Sequence, residues 1–168
     1  MCDDDYVPID DLLIRLALPD DAHAIAAFQT TAWNEAYESL IPEEHLDETA
    51  TAQREYRWRD RLASGVREAA MALDGTEVVG VASWSSTGEN PGLELKTLYV
   101  RPSWKGTGLA RRLMHFGIQD RSALLWVFEE NVRARRFYEK HDFKPDGVRQ
   151  IDPGTGVWEI RLRRDRSG

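Results

Sequence analysis

The sequence is poor in the features that most often declare a function. Cys2 is its only cysteine in 168 residues, so no internal disulfide can form. That fits a reducing cytoplasm, and nothing around Cys2 fixes it as a thiol nucleophile. No apolar run approaches the roughly 18 residues a membrane-spanning helix needs. The opening MCDDDYVPID lacks the basic and apolar regions of a secretory leader. His23, His45, His115 and His141 are far apart and none has a metal-ligand spacing, so no metal site is expected. Positive charge is in deficit, with 22 Lys and Arg against 29 Asp and Glu and a net charge of −7. A sequence-independent nucleic-acid binder would carry a basic face instead. An acidic surface suits a cationic small molecule, and equally suits plain solubility.

What is present reads as an ordinary globular chain. At 42% hydrophobic residues it can bury a core, and no repeat or Pro/Gly linker divides it. One domain over residues 1–168 is expected, with about 1–10 as a flexible tail. LLIRLALP (12–19) reads as a first strand. Asp20 offers an N-cap to a helix reaching about Tyr37, with Ile25, Phe28, Ala32 and Ala36 at helical spacing. Residues 50–65 read as a charged helix closed by Gly65. EAAMAL (68–73) and EVVGVASWS (77–85) flank a DGT hairpin turn, and LELKTLYV (93–100) is a further strand. A helix over about 107–121, the strand ALLWVFE (123–129), a helix over 131–141 capped by Asn131 and the strand VWEIRLRR (157–164) complete the order. Six strands with an antiparallel middle and a crossover end indicate an α+β sheet.

The chemistry centres on WKGTGLARRL (104–113). A G-x-G turn opening a helix leaves backbone N–H groups at 106–110 pointing one way, where phosphate oxygens can meet them and the helix dipole. Glycine lets the backbone approach without a Cβ in the path. Lys105, Arg111 and Arg112 add positive charge nearby, although a solvated helix face is the usual fate of such residues. A dinucleotide-binding turn fits poorly. Arg111 replaces its third glycine, RPSWK lengthens a turn that should be tight, and a hairpin-rich region precedes it. No Walker lysine follows the turn. A glycine-rich helix entry without a ligand stays open on these residues alone.

Taken with its flanks, the segment from about 93 to 143 resembles the GNAT superfamily of acetyl-CoA-dependent N-acyltransferases. That family's main motif has Gln or Arg, two free positions, Gly, one free position, then Gly or Ala. It reads here as Lys105 through Ala110, with Lys105 keeping the charge but losing the planar hydrogen bonding. Its second motif appears as NVRARRFYEKHDF (131–143), with Asp142 in place of the customary glycine. IRLALPDDAHAIAAFQTTAW is similar to the family's first strand and helix.

The resemblance implies a mixed, mostly antiparallel sheet with a central splay, flanked by helices. It implies acetyl-CoA as co-substrate and no metal. Leu98, Tyr99 and Val100 would pair with the pantetheine arm, and Lys105, Gly106, Thr107, Gly108, Leu109 and Ala110 would seat the pyrophosphate. Asn131, Ala134, Phe137 and Tyr138 would contact the cofactor arm. It further implies acetyl transfer to a primary amine of a small molecule, in a ternary complex without a covalent enzyme intermediate. Acetylation of protein N-termini or lysines, or an acyl-CoA sensor without catalysis, are the alternatives. No nucleic acid or membrane partner is expected, and a homodimer is allowed.

An alkylamine with a pKa of about 10.4 is neutral in only about 1 in 1,000 molecules at pH 7, so a base helps. Glu94 is the candidate, acting through water, since an ordinary carboxylate is a weak direct base. A solvent-side strand residue is its bland reading. Tyr138 is the candidate for stabilising or protonating the departing thiolate, and a half-buried helix tyrosine is the bland reading there. Trp33, Tyr37 and Trp84 could wall an amine pocket, with core packing as their alternative. Glu35, Glu38 and Glu43 could attract a cation.

Overall fold

A computed structural model describes residues 9–37, 51–89 and 91–166. The chain runs β1 (Leu13–Leu16), α1 (Ala22–Tyr37), α2 (Thr51–Ser64), β2 (Glu68–Asp74), β3 (Glu77–Ser86) and β4 (Leu93–Val100). It continues through α3 (Leu109–Ile118), β5 (Ala123–Phe128), α4 (Val132–Glu139), β6 (Lys144–Ile151) and β7 (Trp158–Arg164). The strands make one sheet in the order β1-β2-β3-β4-β5-β7-β6. Among the described strands only the β4–β5 pair is parallel. The mixed, mostly antiparallel sheet with flanking helices is thus the observed fold.

Local chemistry explains most boundaries. Gly65, at φ 72°, ends α2 in the left-handed region that a side chain disfavours. Asp74 pairs with Glu77, so Gly75 and Thr76 form a two-residue hairpin, with Gly75 at φ 59°. Asp142 takes φ 69° beyond α4, the conformation its motif position demands, and pairs with Arg166 at 2.8 Å.

Several expectations are corrected. Asp20 is not the cap of α1. A 3-10 turn over Pro19–Asp21 precedes that helix, and Asp21 accepts from the Leu18 amide at 2.8 Å while forking onto Arg15 at 2.7 and 2.8 Å. The first strand is confined to four residues, because the chain turns into this 3-10 segment. Helix α3 begins at Leu109, not 107, since Gly108 at φ 94° cannot continue a right-handed helix. Among the described residues there are seven strands, not six. The additional one, β6, is exposed along its whole length and so carries no buried alternation to reveal it.

The sheet buries both faces. On one, α3 presents Leu109, Leu113, Met114 and Ile118 at helical spacing to Trp84, Leu95 and Leu125. On the other, α1 and α2 cover Met71 and Val81 with Ile25, Phe28 and Trp58. Each fully buried side chain of this size contributes about 1.5–3 kcal/mol. Gly117 of α3 lies flat on the Trp84 indole, and a Cβ there would drive into the ring. Gly117→Ala is therefore expected to destabilise the protein by about 1–3 kcal/mol in urea unfolding, although Ala favours a helix elsewhere.

Two features of β4 position the site. It pairs with β5 only at Glu94↔Leu124 and Leu95↔Leu125. Beyond Leu125 the strands part, while β5 stays on β7 as far as Phe128↔Glu159. The register with β3 also shifts, from Ser83↔Thr97 to Trp84↔Leu95, which makes Lys96 the extra residue of a bulge. Leu95, Leu98 and Val100 consequently belong to the α3 face and Tyr99 to the α1–α2 face.

Candidate functional site

Where β4 and β5 part, a cleft of about 440 Å³ opens between them and runs to the start of α3. One wall is the β4 edge, with Leu98, Tyr99 and Val100. Trp126 and Val127 of β5 face it, and Asn131, Ala134, Phe137 and Tyr138 of α4 close the side. A strand edge that has parted from its neighbour offers backbone N–H and C=O groups to an extended, amide-bearing ligand, as an added strand would.

At the far end the cleft meets Lys105, Gly106, Gly108, Ala110 and Arg111. Gly106 and Gly108 hold φ values of 80° and 94°, which turn successive amides toward the opening. Among the described residues the Gly106, Gly108 and Ala110 amides find no acceptor in the chain. The Leu109 amide reaches the Thr107 hydroxyl at 3.4 Å, and that hydroxyl donates to the Trp104 carbonyl at 2.6 Å. Thr107 and Leu109 thus stay outside the lining, and Leu109 is fully buried. With Arg111, Arg133 and Lys105 around it, this end suits a multiply charged phosphate.

His141 lines the same end, edge-on to Phe137 with ring centres 4.7 Å apart. Burial pushes its pKa below the usual imidazole value, and the Arg111 and Arg164 charges push the same way. Tyr138 packs edge-on between Phe137 and Phe143, at 5.3 and 5.9 Å between ring centres, so its ring is held by its neighbours. Asn131 is the N-cap of α4, accepting from the Ala134 amide at 3.1 Å, which leaves its NH₂ group to face a ligand.

Glu94 is not part of the cleft lining. It sits where β4 and β5 still pair, half-buried, with Lys96 Nζ at 2.7 Å. Lys96 does line the cleft. Glu159 of β7 accepts from Gln150 at 2.7 Å, and burial raises its carboxyl pKa against that bond. Trp84 is placed in the core and not at the cleft. It is 4% exposed, rests on Gly117 and donates Nε1–H to Glu68 at 3.0 Å. The side chains of Trp33 and Tyr37, and all of Glu38 and Glu43, lie outside the described residues. Glu35 and Ala32 of α1 reach the cleft. Among the described residues no cluster of His, Cys, Asp or Glu could hold a metal, and no helix is long and apolar enough to cross a membrane.

The sequence reasoning missed Trp104, Trp126, Arg133 and His141 as cleft residues. Trp126 carried one signal, a large aromatic alternating with the buried Leu125 and Val127, which places it on the opposite face of β5.

The family model described as the acetyltransferase (GNAT) family matches residues 30–143. An uncharacterized N-acetyltransferase of Mycobacterium tuberculosis is 32% identical over 142 residues, covering 80% of this chain and 90% of its own. The PaiA N-acetyltransferase of Thermoplasma acidophilum, solved in complex with coenzyme A, superposes with a TM-score of 0.74. It is 16% identical and covers 93% of this chain and 99% of its own. The yncA protein of Salmonella typhimurium, solved with its cofactor acetyl-CoA, gives a TM-score of 0.67. Its identity is 19%, over 94% of this chain and 95% of its own.

Proposed function

Because this chain belongs to the acetyltransferase (GNAT) family, we propose that it moves an acetyl group from acetyl-CoA to a primary amine of a small molecule, by direct transfer with both bound. The observation that carries this reading is the continuity of the cleft, from the β4 edge where it has parted from β5 to the amides at Gly106 and Gly108. Pantetheine carries amides along its length and pyrophosphate at one end, so a strand edge leading into an anion-binding turn matches both. The thioester then lies where the strands converge, beside the bulge at Lys96. A bulge releases backbone N–H groups from the ladder, and one of these polarises the carbonyl.

The amine attacks that carbonyl, the tetrahedral intermediate expels coenzyme A as a thiolate, and the amine gives up one proton. Glu94 takes the proton through water, Tyr138 meets the thiolate, and the acetyl group ends on nitrogen. The acceptor enters on the α1–α2 face, since α3 fills the other. A thiol-release screen of acetyl-CoA against small amines and peptides tests the reading. Release with small amines supports it, and release with peptides alone would move the acceptor to protein N-termini or lysines.

His141 gives a pH signature. Phosphate oxygens beside it favour the imidazolium, so its pKa rises when coenzyme A binds, from the depressed value of the free protein. Binding then takes up a proton in the window between the depressed pKa of the free protein and the raised pKa of the complex. Coenzyme A affinity is expected to be flat near pH 8 and to gain His-dependent strength as pH falls, by less than about tenfold per unit. Calorimetry on the protein and on His141→Gln isolates this part from titration of the ligand's own phosphate; identical profiles would remove His141 from the phosphate end.

A further inference from the structure

Arg164 is buried and Arg67 half-buried, and of the two only Arg164 is given acceptors for its side chain by the described residues. Arg164, 2% exposed, donates from Nε to the Arg121 carbonyl at 3.0 Å and from Nη2 to the Gln119 and Arg121 carbonyls at 2.7 and 2.8 Å. Its guanidinium also lies over Phe143, 4.8 Å from the ring centre. Arg67, just before β2, has a ring contact of its own but none of these acceptors. Its Nε is buried without a hydrogen-bond partner, and no described residue forms an ion pair with it. Trp58 of α2 lies 5.8 Å from its guanidinium carbon. Burial lowers its pKa to about 10, Arg61 pushes the same way, and Glu94 alone opposes. Glu94 is already matched by Lys96 at 2.7 Å. A buried guanidinium N–H without an acceptor is costly, and an anionic ligand drawn against it would offset that cost.

The register places Arg67 in the row of Glu94, next to the cleft lining and not in it. Glu68 faces Trp84, so Arg67 precedes that pair at the level of Ser85, and Ser85 faces Glu94. Alternation then puts Arg67, Ser85 and Glu94 in a row across β2, β3 and β4, on the α1–α2 face. Ser83 is on the same face, fully buried, and its Oγ also lacks a partner. Two unsatisfied polar groups therefore lie close to the carboxylate assigned to the amine.

Resting on the acetyl-transfer reading, we propose that the acceptor is an amino-acid-like amine whose carboxylate is held by the Arg67 guanidinium, with its amine toward Glu94. Guanidinium binds phosphate as readily as carboxylate. The row offers one positive charge beyond the Glu94–Lys96 pair, which matches a carboxylate monoanion and would leave one charge of a phosphate dianion unmatched beside Glu94.

The test compares kcat/KM for matched acceptors with and without the carboxylate: glycine and methylamine, β-alanine and ethylamine, lysine and 1,5-diaminopentane. The protein is expected to prefer the carboxylated member of at least one pair by about tenfold or more. Arg67→Met should bring that ratio to near one, and Arg67→Lys should keep part of it. The melting shift given by coenzyme A should persist in both variants. If no pair shows a preference, including the case in which none reacts, the proposal is overturned. It is equally overturned if Arg67→Met lowers both members alike, because the arginine then only supports Trp58. Absence of a coenzyme A shift in the unaltered protein overturns the acetyl-transfer reading beneath it.

Discussion

Tyr138→Phe is expected to lower turnover by about 10- to 1,000-fold while coenzyme A binds as before. The ring is held edge-on by Phe137 and Phe143, and phenylalanine keeps both contacts. What the variant loses is a hydroxyl lining the cleft near the proposed thioester. A phenol of pKa about 10 facing a thiolate of pKa about 8.5 is mismatched by roughly 1.5 units against full proton transfer. The hydroxyl therefore acts mainly by donating a hydrogen bond as negative charge gathers on sulfur. Such a bond is strongest at the transition state, so kcat falls and binding does not. Turnover equal to that of the unaltered protein, at matched coenzyme A affinity, would remove Tyr138 from the chemistry.

Gly108→Glu is expected to abolish the rise in melting temperature that coenzyme A confers. Two effects add at this position. The residue sits at φ 94°, where a side chain strains the backbone by about 1–2 kcal/mol. Its carboxylate would also stand at the Gly106 and Ala110 amides, where the pyrophosphate is proposed to lie. Gly65→Glu separates strain from charge. Gly65 has φ 72° with open space around it, far along the chain from the cleft. That variant should lose stability but keep the full coenzyme A shift. A shift retained in Gly108→Glu would sink the phosphate assignment, and one lost in both would trace the effect to folding.

The parts of the fold legible in the sequence are those where local chemistry and burial agree. The glycine turn, the stripe Leu109, Leu113, Ile118 and the Asn131 cap each announce themselves by spacing and residue type. Strand β6 did not, because KPDGVRQI has no buried side to impose alternation and contains both Pro145 and Gly147. The bulge in β4 was also hidden. Strict alternation in LELKTLYV would place Leu95, Thr97 and Tyr99 on one face, whereas Lys96 breaks the period and sends Leu95 to the face opposite Tyr99. Nothing local marks that break. It comes from β4 pairing with β3 on one side while parting from β5 on the other.

The candidate site divides in the same way. The glycine turn of the proposed phosphate end is built from consecutive residues and could be read off a ten-residue string, whereas Arg133 and His141 join it only through the fold. The proposed acceptor end draws on β2, β3 and β4, so Arg67 and Ser83 gain meaning only through cross-strand register. Trp84 shows the converse. Its aromatic character alone suggested a pocket, but Gly117 leaves room for the indole inside the core.

The most direct measurement incubates the protein with acetyl-CoA and a primary amine, and follows free thiol and N-acetylated amine by mass spectrometry in one reaction. The account predicts that both appear in equal amounts, only when amine and protein are present together. Thiol release at the same rate without amine, or coenzyme A binding with no acetylated product from any small amine, would contradict it.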